Sequence, residues 1–62
     1  MGQIRVLVVD DSDFARELII AILSTDKEIT IAGEAKNGRE AIEKVRQLKP
    51  DIVTIDIEMP IM

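Results

Sequence analysis

The sequence predicts an α/β fold: a βαβαβ unit whose three parallel strands lie in the order 2-1-3. Three observations predict it. Two short apolar runs rich in β-branched residues, Ile4-Arg5-Val6-Leu7-Val8-Val9 and Ile52-Val53-Thr54-Ile55, each end in aspartate and read as buried strands. The hydrophobic period switches between strand and helix along the chain. Capping and breaking residues fall where the period changes. Alternating strands and helices imply a parallel sheet with right-handed crossovers, one on each face when the first strand lies in the middle.

Residues 4–9 are a continuous apolar run broken once by Arg5, as in a central strand. Ser12 or Asp13 can cap a helix over 13–24. Residues 28–35 alternate weakly, Ile29 and Ile31 against Thr30 and Ala32, as an edge strand does, and Gly33 weakens it or marks a bulge. Asn37 with Glu40 three residues on has the form of a capping box. It opens a second helix over 38–48, with Ala41, Ile42, Val45 and Leu48 on one face and an i,i+4 pair of Glu40 with Lys44. Pro50 blocks continuation. The third strand covers 51–57, and Pro60 ends it.

The 62 residues, 1–62, amount to one small domain. A chain of this length buries only about 60% of the surface its unfolded form exposes. With no cysteine and no histidine, a disulfide, a thiolate–metal staple, a His-based metal site and a His general base are excluded. A net charge of −4 argues against nucleic acid as a partner. There is no signal-peptide pattern and no run near the roughly 20 apolar residues of a membrane span, so a cytoplasmic location is expected.

The chemistry gathers at the strand ends. With the first and third strands adjacent, about 4.8 Å apart, Asp10, Asp11 and Asp56 meet at the C-terminal edge of the sheet, where open α/β sheets bind ligands. Carboxylates this close can share one cation. The plainer reading makes Asp10 a turn residue and Asp11 a helix N-terminal charge; three aspartates at matching strand ends weigh against it. Phe14, Leu18 and Ile22 read as core. Met59 and Met62 read as packing or tail, and Lys49 as solvated.

Val8-Val9-Asp10-Asp11-Ser12, Gly33-Glu34-Ala35 with Asn37-Gly38, and Lys49-Pro50-Asp51 through Asp56-Ile57-Glu58-Met59-Pro60 resemble the receiver domains of two-component response regulators. Phe14 and Arg16 after Asp-Asp-Ser, and Asp-Ile-Glu-Met-Pro, are most similar to the receiver of the chemotaxis protein-glutamate methylesterase branch. The resemblance spans essentially the whole chain. It implies a flavodoxin-like fold, with Asp56 as phospho-acceptor for a histidine kinase. It also implies Mg²⁺ held by Asp10 and Asp11, one of them through water, and by the backbone carbonyl of Glu58. Such a cation relieves carboxylate repulsion and neutralises an incoming phosphoryl group.

Family receivers have five strands and five helices. The resemblance therefore marks this chain as an N-terminal half, without the fourth-strand Ser or Thr and the fifth-strand Lys that contact the phosphoryl group. Neither Gly-x-Ser-x-Gly nor histidine is present, so esterase activity is not expected here. Phosphorylation of Asp56 is expected to be very slow, and metal binding weak. The alternative expectation is an engineered, non-signalling half-domain that folds as a homo-oligomer. Ile52, Val53, Ile55 and Ile57 ask for cover on both faces of the third strand. Phe14, Ala15, Leu18, Ile19, Ala21, Ile22 and Leu23 span an arc of about 200° on the first helix, with Ile20 outside it. A homodimer through the third strand and first helix would cover both.

Overall fold

The structure, a computed structural model, describes residues 2–55. The predicted acceptor Asp56, Glu58, the last two positions of the predicted third strand, and Met59, Pro60 and Met62 lie outside the described residues. The chain runs β1 (Ile4–Val9), α1 (Asp13–Leu23), β2 (Ile29–Ala35), α2 (Gly38–Leu48) and β3 (Ile52–Ile55). The three strands form one parallel sheet in the order β2-β1-β3, as the alternating periods require. Element ends differ from the expected ones by about one residue, except that 56 and 57 fall beyond the description.

Local chemistry sets the helix starts. Ser12 is extended, and its hydroxyl accepts from the Ala15 N–H at 3.2 Å. Asn37 Oδ1 accepts from the Glu40 N–H at 2.9 Å. The capping box closes one residue off expectation. With Asn37 almost fully extended, Glu40 Oε1 takes the N–H of Lys36 at 3.1 Å. α2 ends on Lys49 in the left-handed region, φ 50°, whose N–H bonds to Val45 O. Pro50 follows and cannot extend the helix. Arg5, the polar break in β1, then ties this turn to the sheet. Its guanidinium donates to Lys49 O, and its backbone N–H donates to Asp51 Oδ2 at 2.8 Å.

β1 is the spine. Val6, Leu7, Val8 and Val9 are all buried, so the strand is covered on both faces. Leu7 and Val9 join Ala35 and Ala41 in the cluster under α2. Val6 and Val8 alternate to the other face, toward α1. The register with β2 steps from Val6–Ile31 to Leu7–Gly33 and leaves Ala32 as an extra residue. That is the bulge Gly33 foreshadowed. Gly33 also makes room: a Cβ there would lie 2.7 Å from Leu48 Cδ1.

Two expectations about apolar surface are corrected. Phe14, Leu18 and Ile22 are not core among the described residues but 77%, 52% and 63% exposed. The half-buried positions of α1 are Ala15, Arg16, Ile19, Ile20 and Leu23, so Ile20 belongs to the sheet side. Bonds from Arg16 to β1 and β2 fix this rotation, which hydrophobicity alone does not encode. Likewise β3 was expected to be buried, yet Ile52, Val53 and Ile55 are exposed. Both helices lie over β1 and β2, so the outer strand goes uncovered among the described residues. Ile42 and Val45 on α2 are exposed too, and with Val53 and Ile55 they line an apolar groove of about 490 Å³.

Candidate functional site

The site forms where β1 ends. The Asp10 N–H donates to Ala35 O at 3.0 Å and prolongs the ladder by one residue. The side chain of Asp10 is buried, 2% exposed, and its Oδ1 accepts from the Ser12 N–H at 2.9 Å. That bond is an Asx turn, which starts the chain into α1. Ser12 then caps the helix, and its carbonyl accepts from the Arg16 N–H at 2.9 Å. Asp11 sits at the tip of this tied loop, exposed.

Of the four residues expected to form the metal site, the structure brings together Asp10 and Asp11. Asp56 and Glu58 lie outside the described residues. Among the described residues, no group of three or more His, Cys, Asp or Glu side chains gathers that could hold a metal ion. The β1–β3 register pairs Val9 with Ile55, the last described residue of β3. Asp10 and Asp56 are the next residues of these two paired strands in sequence.

The Asp10 carboxylate fits a cation. It is buried, and among the described residues it has no ion-pair partner. A buried carboxylate without a countercharge is costly, and a hard cation relieves that cost. The donors present are carboxylate oxygens, which suit Mg²⁺ or Mn²⁺ rather than a soft metal.

Arg16 is the residue sequence reasoning missed as a site element. It was noted as part of a family pattern, with no role. Its Nη1 donates to Asp10 O at 2.8 Å, its Nε donates to Glu34 Oε1 at 2.8 Å, and its Nη2 pairs with Asp13. The hydrogen bond with Glu34, and then that with Asp13, raise its proton affinity further, so it stays charged. One signal was available: an arginine three residues after the acidic Asp13, at pairing distance on a helix. A depression of about 500 Å³ beside β2 is lined by Arg16 and Glu34 but by neither Asp10 nor Asp11.

Comparison with known proteins bears on the family and the fold. Residues 6–62 match the family model of the response regulator receiver domain. The protein-glutamate methylesterase/protein-glutamine glutaminase of Bacillus licheniformis is 56% identical over 59 residues, which is 95% of this chain and 16% of that protein. The crystal structure of the response regulator domain of Thermotoga maritima CheB superposes with a TM-score of 0.87 at 50% identity, over 97% of this chain and 45% of that one. A chain in the crystal structure of the P1 domain of CheA3 in complex with CheY6 from R. sphaeroides superposes with a TM-score of 0.84 at 31% identity, over 100% of this chain and 49% of that one. The chain thus spans 16% of the length of the methylesterase and 45–49% of the two solved chains.

Proposed function

The chain belongs to the response regulator receiver domain family, and on that premise we propose that Asp56 accepts a phosphoryl group from a histidine kinase of a chemotaxis pathway, with Asp10 and Asp11 holding Mg²⁺ beside it. The observation that carries this reading is the parallel β1–β3 register, Val9 beside Ile55. Next in sequence after that pair come Asp10 and Asp56. In transfer, an Asp56 carboxylate oxygen bonds to phosphorus as the bond from phosphorus to the donor nitrogen breaks. The Ser12 N–H holds the Asp10 carboxylate, and Asp11 and the Glu58 carbonyl would complete the oxygen donors. A Mg²⁺ ion held by these oxygens would supply positive charge to offset that of the transferring group. A kinase partner is in keeping with the P1–CheY6 complex, and a cytoplasmic location goes with that reading. The 62 residues alone are slow acceptors, since they lack the hydroxyl and ammonium contacts that family receivers add; each such contact is commonly worth about 2.7–4 kcal/mol. Titration with Mg²⁺ under amide NMR tests the reading. Shifts concentrated at residues 10–12 and 56–58 support it, and shifts scattered over unrelated carboxylates refute it. Rapid stoichiometric labelling by acetyl phosphate would refute the slow-acceptor part.

A second reading rests on a different observation, the exposed apolar surfaces of α1 and β3. In it the 62-residue chain does not signal by itself but self-associates through β3 and α1 as a homodimer. An uncovered parallel edge strand with apolar residues on both faces is a template for a further strand, and a two-fold pairing of β3 with its copy joins the two sheets into one. Light scattering decides. A dimer whose melting midpoint rises with concentration supports this reading. A folded monomer at micromolar concentration removes it.

A further inference from the structure

We infer that Arg16 is a positioning residue of the metal site: it locks the peptide that carries Asp11 and so aims that carboxylate at the cation. The inference rests on the receiver reading given above. Three hydrogen bonds anchor Asp10, the residue before Asp11. The Asp10 N–H is fixed by Ala35 O, the Asp10 carboxylate by the Ser12 N–H, and the Asp10 carbonyl by Arg16 Nη1 at 2.8 Å. A peptide is planar, so the bond to the Asp10 carbonyl fixes the plane that begins Asp11. Asp11 makes no hydrogen bond of its own through its side chain among the described residues. Its aim is therefore set by the backbone on either side, Arg16 before it and the Asp10–Ser12 turn after it.

Arg16 is itself held. Its side chain is only 13% exposed and is braced by Glu34 on β2 and Asp13 on α1. The fork thus joins three elements at the point where the acidic pair sits. The same braces explain how a guanidinium can stand beside a cation site. Two carboxylates offset its one positive charge, and none of its bonds goes to the Asp10 or Asp11 carboxylate. Lysine cannot substitute, because one ammonium does not reproduce a planar fork with donors aimed at three acceptors.

The test separates positioning from plain electrostatics by sign. Removing a positive charge near a cation site would strengthen metal binding if charge were all that mattered. Positioning requires the opposite. Mn²⁺ affinity of the 62-residue chain is read by electron paramagnetic resonance of the free ion, with amide NMR to report the folded fraction and the shifts of Asp11 and Ser12. Partners that orient metal ligands are typically worth about 10–100-fold in affinity. Arg16→Gln should weaken binding by about that factor. Arg16→Lys, which keeps the charge and disturbs the fold least, should weaken it by at least several-fold and move the Asp11 amide in the metal-free state. Arg46→Gln, an exposed cation on α2, should change little. If wild type binds at residues 10–12 and the two Arg16 variants bind as well or better, the role of Arg16 is overturned while the receiver site stands. If wild type shows no binding there, the receiver-site reading falls and the Arg16 role with it.

Discussion

Replacing Gly33 by alanine tests how α2 is seated on the sheet. Gly33 has no positive φ, so its backbone accepts an L side chain. Losing the extra freedom of glycine in the unfolded chain then favours alanine by about 0.4–1 kcal/mol. Against this, the new Cβ would lie 2.7 Å from Leu48 Cδ1 and 3.6 Å from Leu7 Cδ1. The first distance is about 1 Å inside ordinary carbon contact. Leu48 cannot yield toward Leu7, which is fully buried. Overpacking of this kind costs about 1–3 kcal/mol. The net expectation is a destabilisation of about 1 kcal/mol, a drop of roughly 4–8 °C in melting midpoint for a domain this small. The loss matters in a chain whose total stability is on the order of 3–9 kcal/mol. The assay is thermal and urea unfolding by circular dichroism at one fixed protein concentration, with Gly33→Ala made in wild type and in a Leu48→Ala background. With Leu48 trimmed, Gly33→Ala should become stabilising by the entropic term alone. A coupling near zero, or a stabilised Gly33→Ala single variant, would refute the account of Gly33 as the seat of Leu48.

Ser12→Ala should cost about 1 kcal/mol by removing the cap on the Ala15 N–H, read as a lower urea midpoint with unchanged slope. Thr54→Val should stabilise by about 1 kcal/mol, because the Thr54 hydroxyl is buried without a hydrogen-bond partner among the described residues; a destabilised variant would show that the hydroxyl has one. The raised proton affinity of Arg16, due first to Glu34 and then to Asp13, means its ion pairs are fully present below its unfolded value and are lost only as pH rises through the still higher folded value. Wild type and Arg16→Gln should therefore show parallel stability curves from about pH 6 to pH 10, all of it far below the arginine range; divergence inside that window contradicts the assignment. Hydrogen exchange should be faster at the β3 amides, Ile52–Ile55, than at Val6–Val9, and Mg²⁺ should slow the β3 amides; equal exchange in both strands would deny that β3 is the weaker one.

The fold was legible because each element carries its own signal. Four consecutive buried residues in β1 follow from an unbroken apolar run, and Ser12, Asn37 and Pro50 mark real boundaries. The strand order followed from chirality and crossover rules rather than from any single residue. The bulge was half legible. Gly33 flagged an irregularity, but only the register shows that Ala32 is the extra residue. The rotation of α1 was not legible. Its apolar residues form two stripes, Ala15-Ile19-Ile20-Leu23 and Phe14-Leu18-Ile22, and hydropathy gives no reason to choose between them. A hydrogen-bonded arginine made the choice, and polar anchors carry no hydrophobic period. In the candidate site, Asp10 and Asp11 were found from their place at a strand end. The role of Arg16 was missed because its three acceptors are a carbonyl, a strand glutamate and a helix aspartate, which no linear spacing brings together.

The two strands that lead to the candidate site residues in sequence have unequal support. β1 is covered on both faces and paired on both edges, whereas β3 is paired on one edge and open on both faces among the described residues. Asp10 and Asp11 are held by the first. Asp56 follows the second in sequence. Cation binding that needs carboxylates from both sides therefore acts also on the pairing of β3 with β1. By linkage, a ligand at 100 times its dissociation constant adds about 2.7 kcal/mol to whatever state binds it. Cover for β3, whether from a second copy or from further chain, adds to the same equilibrium. Metal affinity and β3 cover should then reinforce each other without direct contact, because each stabilises the strand pair the other requires. If Asp56 shares a cation with Asp10 and Asp11, the exposed Ile52, Val53 and Ile55 bear on function as well as on stability, since occupancy of that site is then set partly by how well β3 is held.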